Sequence, residues 1–246
     1  MTTRLGTQAA ELETLIQEAG LAGKVQIGVP LPPDEVDTPR HIGTKHPHLV
    51  ETDALGALLR PSRHRQTQGQ LIEIGGRISS GRTALAYRIL GGATLRGELT
   101  AWVDLPDALD PRSLRRAGVD LQSLLWVRPS RVQAALRATE LLLRTGFAVV
   151  VVDLEGAARE LERGRPAIWS RLLRAVRERR ATAVLLGTNR ASGSFATLGL
   201  YTERSRVLFD HGLFEGLECS MTILRNRMGP IDTEYSLHIS HRPSPR

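Results

Sequence analysis

Two short apolar runs constrain the fold of this chain more than any other feature. Residues 147–152 and 183–187 are continuously apolar, with no alternation between apolar and polar positions. Strands that are hydrophobic on both sides are typical of a parallel sheet covered by helices. Segments with helical periodicity separate the strand patterns, whereas the last strand patterns follow one another directly. The sequence therefore predicts an α/β fold. Its sheet is mainly parallel, with helices on both faces and antiparallel strands at the C-terminal end.

The individual elements can be predicted from the same patterns. Glycine and proline positions divide the chain into an N-terminal helix and Pro-rich linker (1–48), a core (49–240) and a frayed tail (241–246). The expected helices are 82–91, 130–145 and 166–180, with a helical turn at 114–117. The expected strands are 71–74, 99–103, 124–127, 147–152, 183–187, 206–209, 218–224 and 234–240.

Composition excludes several classes of protein. A single cysteine, Cys219, rules out an intrachain disulfide and a cysteine-based zinc site. The apolar runs are too short to span a bilayer, and the charged N-terminus does not resemble a signal segment, so we expect a cytoplasmic protein with no membrane partner. The net charge of +7 fits weak, nonspecific binding of DNA or an acidic partner, but it also fits simple enrichment in arginine.

The sharpest motif is a glycine-containing loop between a strand and a helix. Such a loop can wrap a phosphate with backbone N–H groups and direct a helix N-terminus at the anion. Thr83 could supply a hydroxyl to Mg²⁺, but the position that normally carries lysine holds Arg82. A glycine-rich turn without a ligand fits the same residues. The candidate nucleotide-binding residues are Gly76, Ser79, Ser80, Gly81, Arg82 and Thr83.

A second element of a phosphate site is the acid that follows a buried strand. Asp153 comes directly after the apolar run 147–152, where a carboxylate that helps to hold Mg²⁺ is expected in P-loop ATPases. A helix cap or a loop acid would explain this position equally well. Thr83 and Asp153 are thus the candidate residues for Mg²⁺ if a nucleotide such as ATP binds.

These residues resemble the RecA recombinase family over about residues 50–230. The strand and loop 71–83 resemble its phosphate loop, and Asp153 matches its Walker B acid. Residues 221–227 resemble its late basic strand. The most specific part of the resemblance lies within 99–129. The resemblance implies a RecA-like core.

The chain departs from the RecA pattern at the residues that hydrolyse ATP. The phosphate-loop lysine is replaced by Arg82, and the catalytic glutamate aligns with Pro106, beside Asp107. A proline cannot act as a general base, so we expect no catalytic residues, although weak residual ATPase activity is compatible with the sequence. The two segments that align with the DNA-binding loops, 154–165 and 190–200, are shorter than in a working recombinase.

A RecA-like core with these losses resembles ImuA, a family of degenerate RecA-like accessory proteins of bacterial SOS mutagenesis. The resemblance implies a non-catalytic role in the DNA damage response, supporting translesion synthesis and limiting RecA recombination. The implied partners are RecA, an ImuB-type relative of the Y-family polymerases and an error-prone DNA polymerase. The implied location is the cytoplasm, in association with the nucleoid. Two alternatives stay open: an ATP-dependent, DNA-binding recombinase paralogue, and a regulator that senses nucleotide without turnover.

Two further groups of residues are candidates for binding partners. The apolar face of the N-terminal helix 7–19 could dock on RecA or on another copy of the chain, or simply pack on its own core. Arginines near residue 64 and on the helix 166–180 could contact DNA or an acidic partner, or be solvated. The candidates are Leu12, Leu15 and Ile16 on the N-terminal helix, and Arg63, Arg65, Arg171 and Arg174 among the arginines.

Overall fold

The computed structural model describes residues 24–27, 69–162, 167–227 and 229–240, together with Gln17. Several predictions concern residues outside this set. They are the partner-binding side chains Leu12, Leu15 and Ile16, the linker residues 28–48, the arginines Arg63 and Arg65, and the tail 241–246.

The described strands form one sheet of nine strands. The central six strands are parallel, and antiparallel pairs flank them on both sides. In chain order they are β1 (Val25–Ile27), β2 (Gln70–Gly76), β3 (Thr100–Asp104), β4 (Leu124–Val127), β5 (Val149–Asp153), β6 (Thr182–Gly187), β7 (Leu198–Asp210), β8 (Leu213–Asn226) and β9 (Glu234–Ser240). Across the sheet the order is β1-β4-β3-β5-β6-β2-β7-β8-β9.

Helices cover both faces of this sheet. Leu85 and Leu90 of the first helix belong to the apolar cluster on one face, and Leu143 and Leu172 of two other helices belong to the cluster on the opposite face. The predicted fold class is therefore confirmed. Within the described residues, no helix is long and apolar enough to cross a bilayer. The helices are α1 (Arg82–Leu95), α2 (Pro111–Arg116), α3 (Val132–Thr145), α4 (Ala158–Glu162) and α5 (Ala167–Arg179).

Some predicted element bounds are wrong, and each has a local cause. The strand predicted at 147–152 begins at Val149, because the backbone N–H of Phe147 donates to Leu142 at the end of α3. The strands predicted at 206–209 and 218–224 are parts of a hairpin whose strands have 13 and 14 residues. Residues 203–206 of this hairpin are all exposed, so they carry no alternating pattern. The strand β1 and the helix α4 were not predicted.

The topology brings several chemically important residues to one edge of the sheet. The parallel strands β2, β3, β5 and β6 end at Gly76, Asp104, Asp153 and Gly187. The carboxyl ends of parallel strands share one edge, and ligands of open α/β sheets bind there. The loop predicted to bind phosphate (76–83), hereafter the phosphate loop, leaves β2 at this edge, which therefore holds the candidate site.

Candidate functional site

Close packing at two glycines shapes the loop between β2 and α1. A Cβ atom added to Gly76 would lie 2.4 Å from both the Ser80 Oγ and the Thr202 Oγ1. Gly81 has a φ of +90°, and a Cβ there would lie 2.6 Å from the Ile239 Cδ1 of β9. Both positions therefore require glycine, and side chains of β7 and β9 pack directly against the loop.

One predicted loop residue has its hydroxyl directed into the protein. The Ser80 side chain is buried, and its Oγ forms a hydrogen bond of 2.7 Å with the Thr202 Oγ1. The Thr202 Oγ1 also lies 3.2 Å from the Gly75 carbonyl, to which it can donate. Ser79, in contrast, is exposed and has a φ of +60°. Ser80 thus supports the loop, and the exposed side of the loop is formed by its neighbours.

Arg82, at the position of the usual lysine, is engaged within the chain itself. Its Nη1 donates to the Gly76 carbonyl at 2.6 Å, which closes the loop on itself. Its Nη2 donates to the Glu155 Oε2 at 2.5 Å, forming an ion pair. The Arg82 residue is only 7% exposed. The two terminal nitrogens with which Arg82 could bind phosphate therefore already donate hydrogen bonds to oxygens of the protein.

The partner of Arg82 is itself fixed in place. Thr188 comes directly after β6. Its hydroxyl can donate to either carboxylate oxygen of Glu155, since its Oγ1 is 2.9 Å from one and 3.1 Å from the other. The backbone N–H of Glu155 donates to the Asp153 Oδ1 at 3.0 Å. Sequence reasoning missed both Glu155 and Thr188. The one available signal was the second acid two positions after Asp153.

Asp153 lies at the end of β5, within electrostatic reach of Arg82. Burial raises the pKa of the Asp153 carboxyl, and the neighbouring Asp104 and Glu155 charges act in the same direction. The Glu155 backbone N–H and the Arg82 charge oppose that shift in pKa. Thr83, the other predicted Mg²⁺ residue, is half-buried in the first turn of α1. A threonine hydroxyl and a carboxylate are oxygen donors of the kind that Mg²⁺ prefers.

The position of the expected general base lies in an exposed loop after β3. Pro106 and Asp107 are both exposed. The Asp107 carboxylate lies 3.7 Å from the Arg128 guanidinium, and its side chain is 62% exposed. The carboxylate beside the proline is therefore paired with an arginine at the end of β4.

Another carboxylate at this edge, Asp104, has a structural role. It is fully buried and accepts hydrogen bonds from the backbone N–H groups of Ala108 and Leu109 at 3.1 and 3.0 Å. It also accepts one from the Trp126 Nε1 at 3.1 Å. These three donors fix the loop that follows β3 and leave Asp104 poorly placed to activate water.

The two segments predicted to correspond to DNA-binding loops, 154–165 and 190–200, hold different local structures. The first, 154–165, contains the short helix α4. In the second, Glu73 of β2 accepts hydrogen bonds from the backbone N–H groups of Ala191 and Ser192. Because β7 already begins at Leu198, the second loop is also short.

The predicted basic side chains on α5 lie on its exposed face. Arg174 is exposed. Arg171 is half-exposed and pairs with Glu140 of α3, to which its Nε donates at 2.9 Å. The structure brings neither arginine into contact with the phosphate loop. They lie on the helix layer opposite α1.

Comparisons with known proteins agree with this architecture. Residues 63–161 match the RecA N-terminal domain. The RecA protein of Rhizobium leguminosarum is 40% identical over 105 residues, which are 42% of this chain and 29% of that protein. The RecA protein of Agrobacterium fabrum is 45% identical over 87 residues, or 35% of this chain and 24% of that protein. For Rhizobium etli RecA the identity is 40% over 105 residues, again 42% and 29%.

These matches support membership of the chain in the RecA-like superfamily, with a RecA-like domain over the matched part. That part contains the phosphate loop, Pro106, Asp153 and Glu155. The chain spans less than a third of the length of the curated RecA proteins that it matches.

Proposed function

We propose that this chain is a non-catalytic, RecA-like accessory protein of the DNA damage (SOS) response, of the ImuA type. It supports mutagenic translesion synthesis by binding RecA, an ImuB-type polymerase relative, or both, and it limits recombination by RecA. The observation that carries this proposal is the state of the phosphate loop. Arg82 replaces lysine there and is held by the Gly76 carbonyl and Glu155.

The absence of a well-placed base at the aligned position supports the lack of turnover. Phosphoryl transfer to water needs a residue that orients or deprotonates the water, together with cations on the phosphates. Pro106 has no side chain that could accept a proton, and Asp107 pairs with Arg128. The Asp104 carboxylate already accepts three hydrogen bonds. A protein with this core would therefore act by binding partners.

The short second loop favours partner binding over strand exchange. In the proposed role, the RecA-like domain does not form an active filament on DNA, so it needs no long mobile loop on the DNA side. Glu73 restrains residues 191–192, which lie in that loop. Contacts with RecA or the polymerase relative then involve other surfaces, among them the predicted face of Leu12, Leu15 and Ile16.

The proposal is tested by RecA-driven strand exchange with the full chain titrated in, beside a direct RecA pull-down. We expect inhibition and physical binding without ATP hydrolysis by the chain itself. A variant lacking residues 1–24 tests the N-terminal helix, and we expect it to lose RecA binding. Normal RecA binding by that variant would eliminate the helix as the docking element. No RecA binding by the full chain would leave the ImuB-type relative as the proposed partner.

A second candidate function is a nucleotide-sensing regulator. The loop geometry favours it, because the glycines, the α1 N-terminus, Thr83 and Asp153 retain the framework of a phosphate site. Nucleotide titration separates this candidate from the first. Robust DNA-stimulated ATP hydrolysis by the chain would instead support a recombinase paralogue and contradict the non-catalytic proposal.

A further inference from the structure

The cation of the phosphate loop is paired with an anion from the same chain. The Arg82 Nη2 and the Glu155 Oε2 are 2.5 Å apart, and the Arg82 Nη1 simultaneously holds the Gly76 carbonyl at 2.6 Å. The guanidinium therefore bridges the first glycine of the loop and a carboxylate 73 residues later in the chain. An anion entering the loop meets an arginine that already has a charged partner.

Glu155 is held for this contact by two neighbouring elements. The Thr188 hydroxyl lies 2.9 and 3.1 Å from its carboxylate oxygens, and its own backbone N–H is anchored on Asp153. Its side chain is 28% exposed, against 9% for that of Arg82. Because these contacts restrict the carboxylate, the pair loses less side-chain entropy than a pair between two mobile surface residues. Hydrogen bonds between such charged groups are also stronger than neutral ones.

We propose that Glu155 acts as an internal substitute for phosphate in this loop. Its carboxylate occupies Arg82, so the phosphate groups of a nucleotide can reach the arginine only by displacing Glu155. The Glu155 carboxylate also repels phosphate, because it lies against Arg82 in the loop that the phosphate would enter. This inference deepens the proposed function, on which it rests, because it names the group that keeps the loop from holding nucleotide.

If Glu155 occupies Arg82 in this way, removing the Glu155 carboxylate should strengthen the binding of a nucleotide. Glu155→Ala leaves Arg82 without its charged partner and removes one negative charge from the site. Glu155→Gln keeps the shape of the side chain and weakens the contact to a bond with a neutral acceptor. A hydrogen bond to a charged group contributes about 1.5–3 kcal/mol, which corresponds to a change in affinity of about 10- to 150-fold.

The test is calorimetric titration of ATP into the full-length chain, once with MgCl₂ and once with EDTA. We expect Glu155→Ala to bind ATP about tenfold or more tightly than the unaltered chain in both buffers, with Glu155→Gln between them. The matched control is Glu160→Gln on α4, an exposed carboxylate that forms no ion pair with a described residue. It removes the same charge and should change the affinity less than about twofold.

Three outcomes would overturn the inference. Equal affinities of the Glu155 and Glu160 variants would show that only net charge matters. Weaker binding by Glu155→Ala in MgCl₂ alone would make Glu155 a Mg²⁺ residue. No detectable binding in any variant would mean that another feature excludes nucleotide. The nearly isosteric Glu155→Gln variant, checked by circular dichroism, keeps the test valid if Glu155→Ala does not fold.

The failure of this inference is distinguishable from the failure of the proposed function. The titrations contain neither RecA nor DNA, so they do not depend on which partner the chain binds. If strand exchange is inhibited but the unaltered chain and the Glu155 variants bind ATP equally well, the proposed function stands and the proposed role of Glu155 is wrong. If Glu155→Ala gains affinity while RecA is unaffected, the role of Glu155 stands and the partner must be sought elsewhere.

Discussion

Glu73, in the middle of β2, holds Ser192 through two hydrogen bonds. The Ser192 backbone N–H and Oγ each donate to the Glu73 carboxylate at 2.9 Å. The backbone N–H of Ala191 donates to the same carboxylate, and the Arg190 Nε lies 3.4 Å from it. Glu73 is only 2% exposed, and a buried carboxylate is tolerated where such donors surround it. One side chain of the central sheet thus fixes the loop between β6 and β7.

Glu73→Ala should therefore release the loop at residues 190–193. The substitution leaves four donors without their acceptor. We expect a loss of about 2–3 kcal/mol in the free energy of unfolding, measured with urea. Trypsin cleaves after arginine, so cleavage at Arg190 should accelerate in the native protein, as followed by mass spectrometry.

The matched control for Glu73 is Glu98→Ala. Glu98 pairs with Arg96, and both of these side chains are substantially exposed, so the change should cost less than about 1 kcal/mol. Unchanged cleavage at Arg190 in Glu73→Ala would mean that the loop is held by other contacts, such as the Arg190 Nη2 on the Gly193 carbonyl.

The fold could be predicted from the sequence because its central strands are buried on both faces. Residues 149–152 of β5 are almost completely buried, and all four are valine, so the apolar run in the sequence indicates a buried strand. The hairpin β7–β8 was predicted only in part, since its outer half is solvent-exposed and lacks a pattern. β1 has three residues and depends on pairing with β4, which no local pattern reveals.

The candidate site could be predicted only where its residues belong to, or directly follow, a recognisable local sequence pattern. The loop from Gly76 to Thr83 carries its own signature, and Asp153 follows an obvious strand. The groups that occupy the loop, in contrast, come from distant positions. Glu155 lies 73 residues from Arg82, and Thr202 lies 122 residues from Ser80. Contacts at such separations are created by the strand order, which the pattern of a single sequence does not specify.

Arg82→Lys should not make the chain an efficient ATPase. A lysine would restore the usual residue of the phosphate loop, but the aligned base position would still be Pro106. General-base catalysis contributes about 10²–10⁴-fold, so the rate should stay at least about 100-fold below that of RecA. The measurement is phosphate release with single-stranded DNA, with RecA as the positive control. A rate for Arg82→Lys close to that of RecA would contradict the proposed loss of catalysis.

Asp153→Asn should stabilise the folded chain in magnesium-free buffer at neutral pH. Burial raises the pKa of Asp153, so folding penalises its charged form, and the neutral amide avoids that cost. The asparagine Oδ1 can still accept the hydrogen bond from the Glu155 backbone N–H. We expect a higher midpoint of thermal unfolding than for the unaltered chain. A lower midpoint would show that the attraction between Asp153 and Arg82 outweighs the cost of burial.

Asp110 should make the stability of α2 depend on pH. Its carboxylate caps this helix by accepting from the backbone N–H groups of Arg112 and Ser113, both at 3.1 Å. Burial opposes the shift, but the hydrogen bonds from Ser113 and Arg112 and the Arg112 charge lower the pKa of Asp110 below 3.8. A folded-state pKa below the unfolded value gives stability that is present above about pH 3.8 and is lost as the pH falls through the folded value.

We therefore expect Asp110→Ala to cost about 0.5–2 kcal/mol in the free energy of unfolding at neutral pH. The difference from the unaltered chain should shrink as the pH is lowered from about 5 to about 3 in urea titrations. Asp107→Asn is the control, because its exposed pair with Arg128 at 3.7 Å should contribute less than about 1 kcal/mol. A difference for Asp110→Ala that stays constant over this pH range would show that the charged carboxylate caps α2 no better than a neutral one.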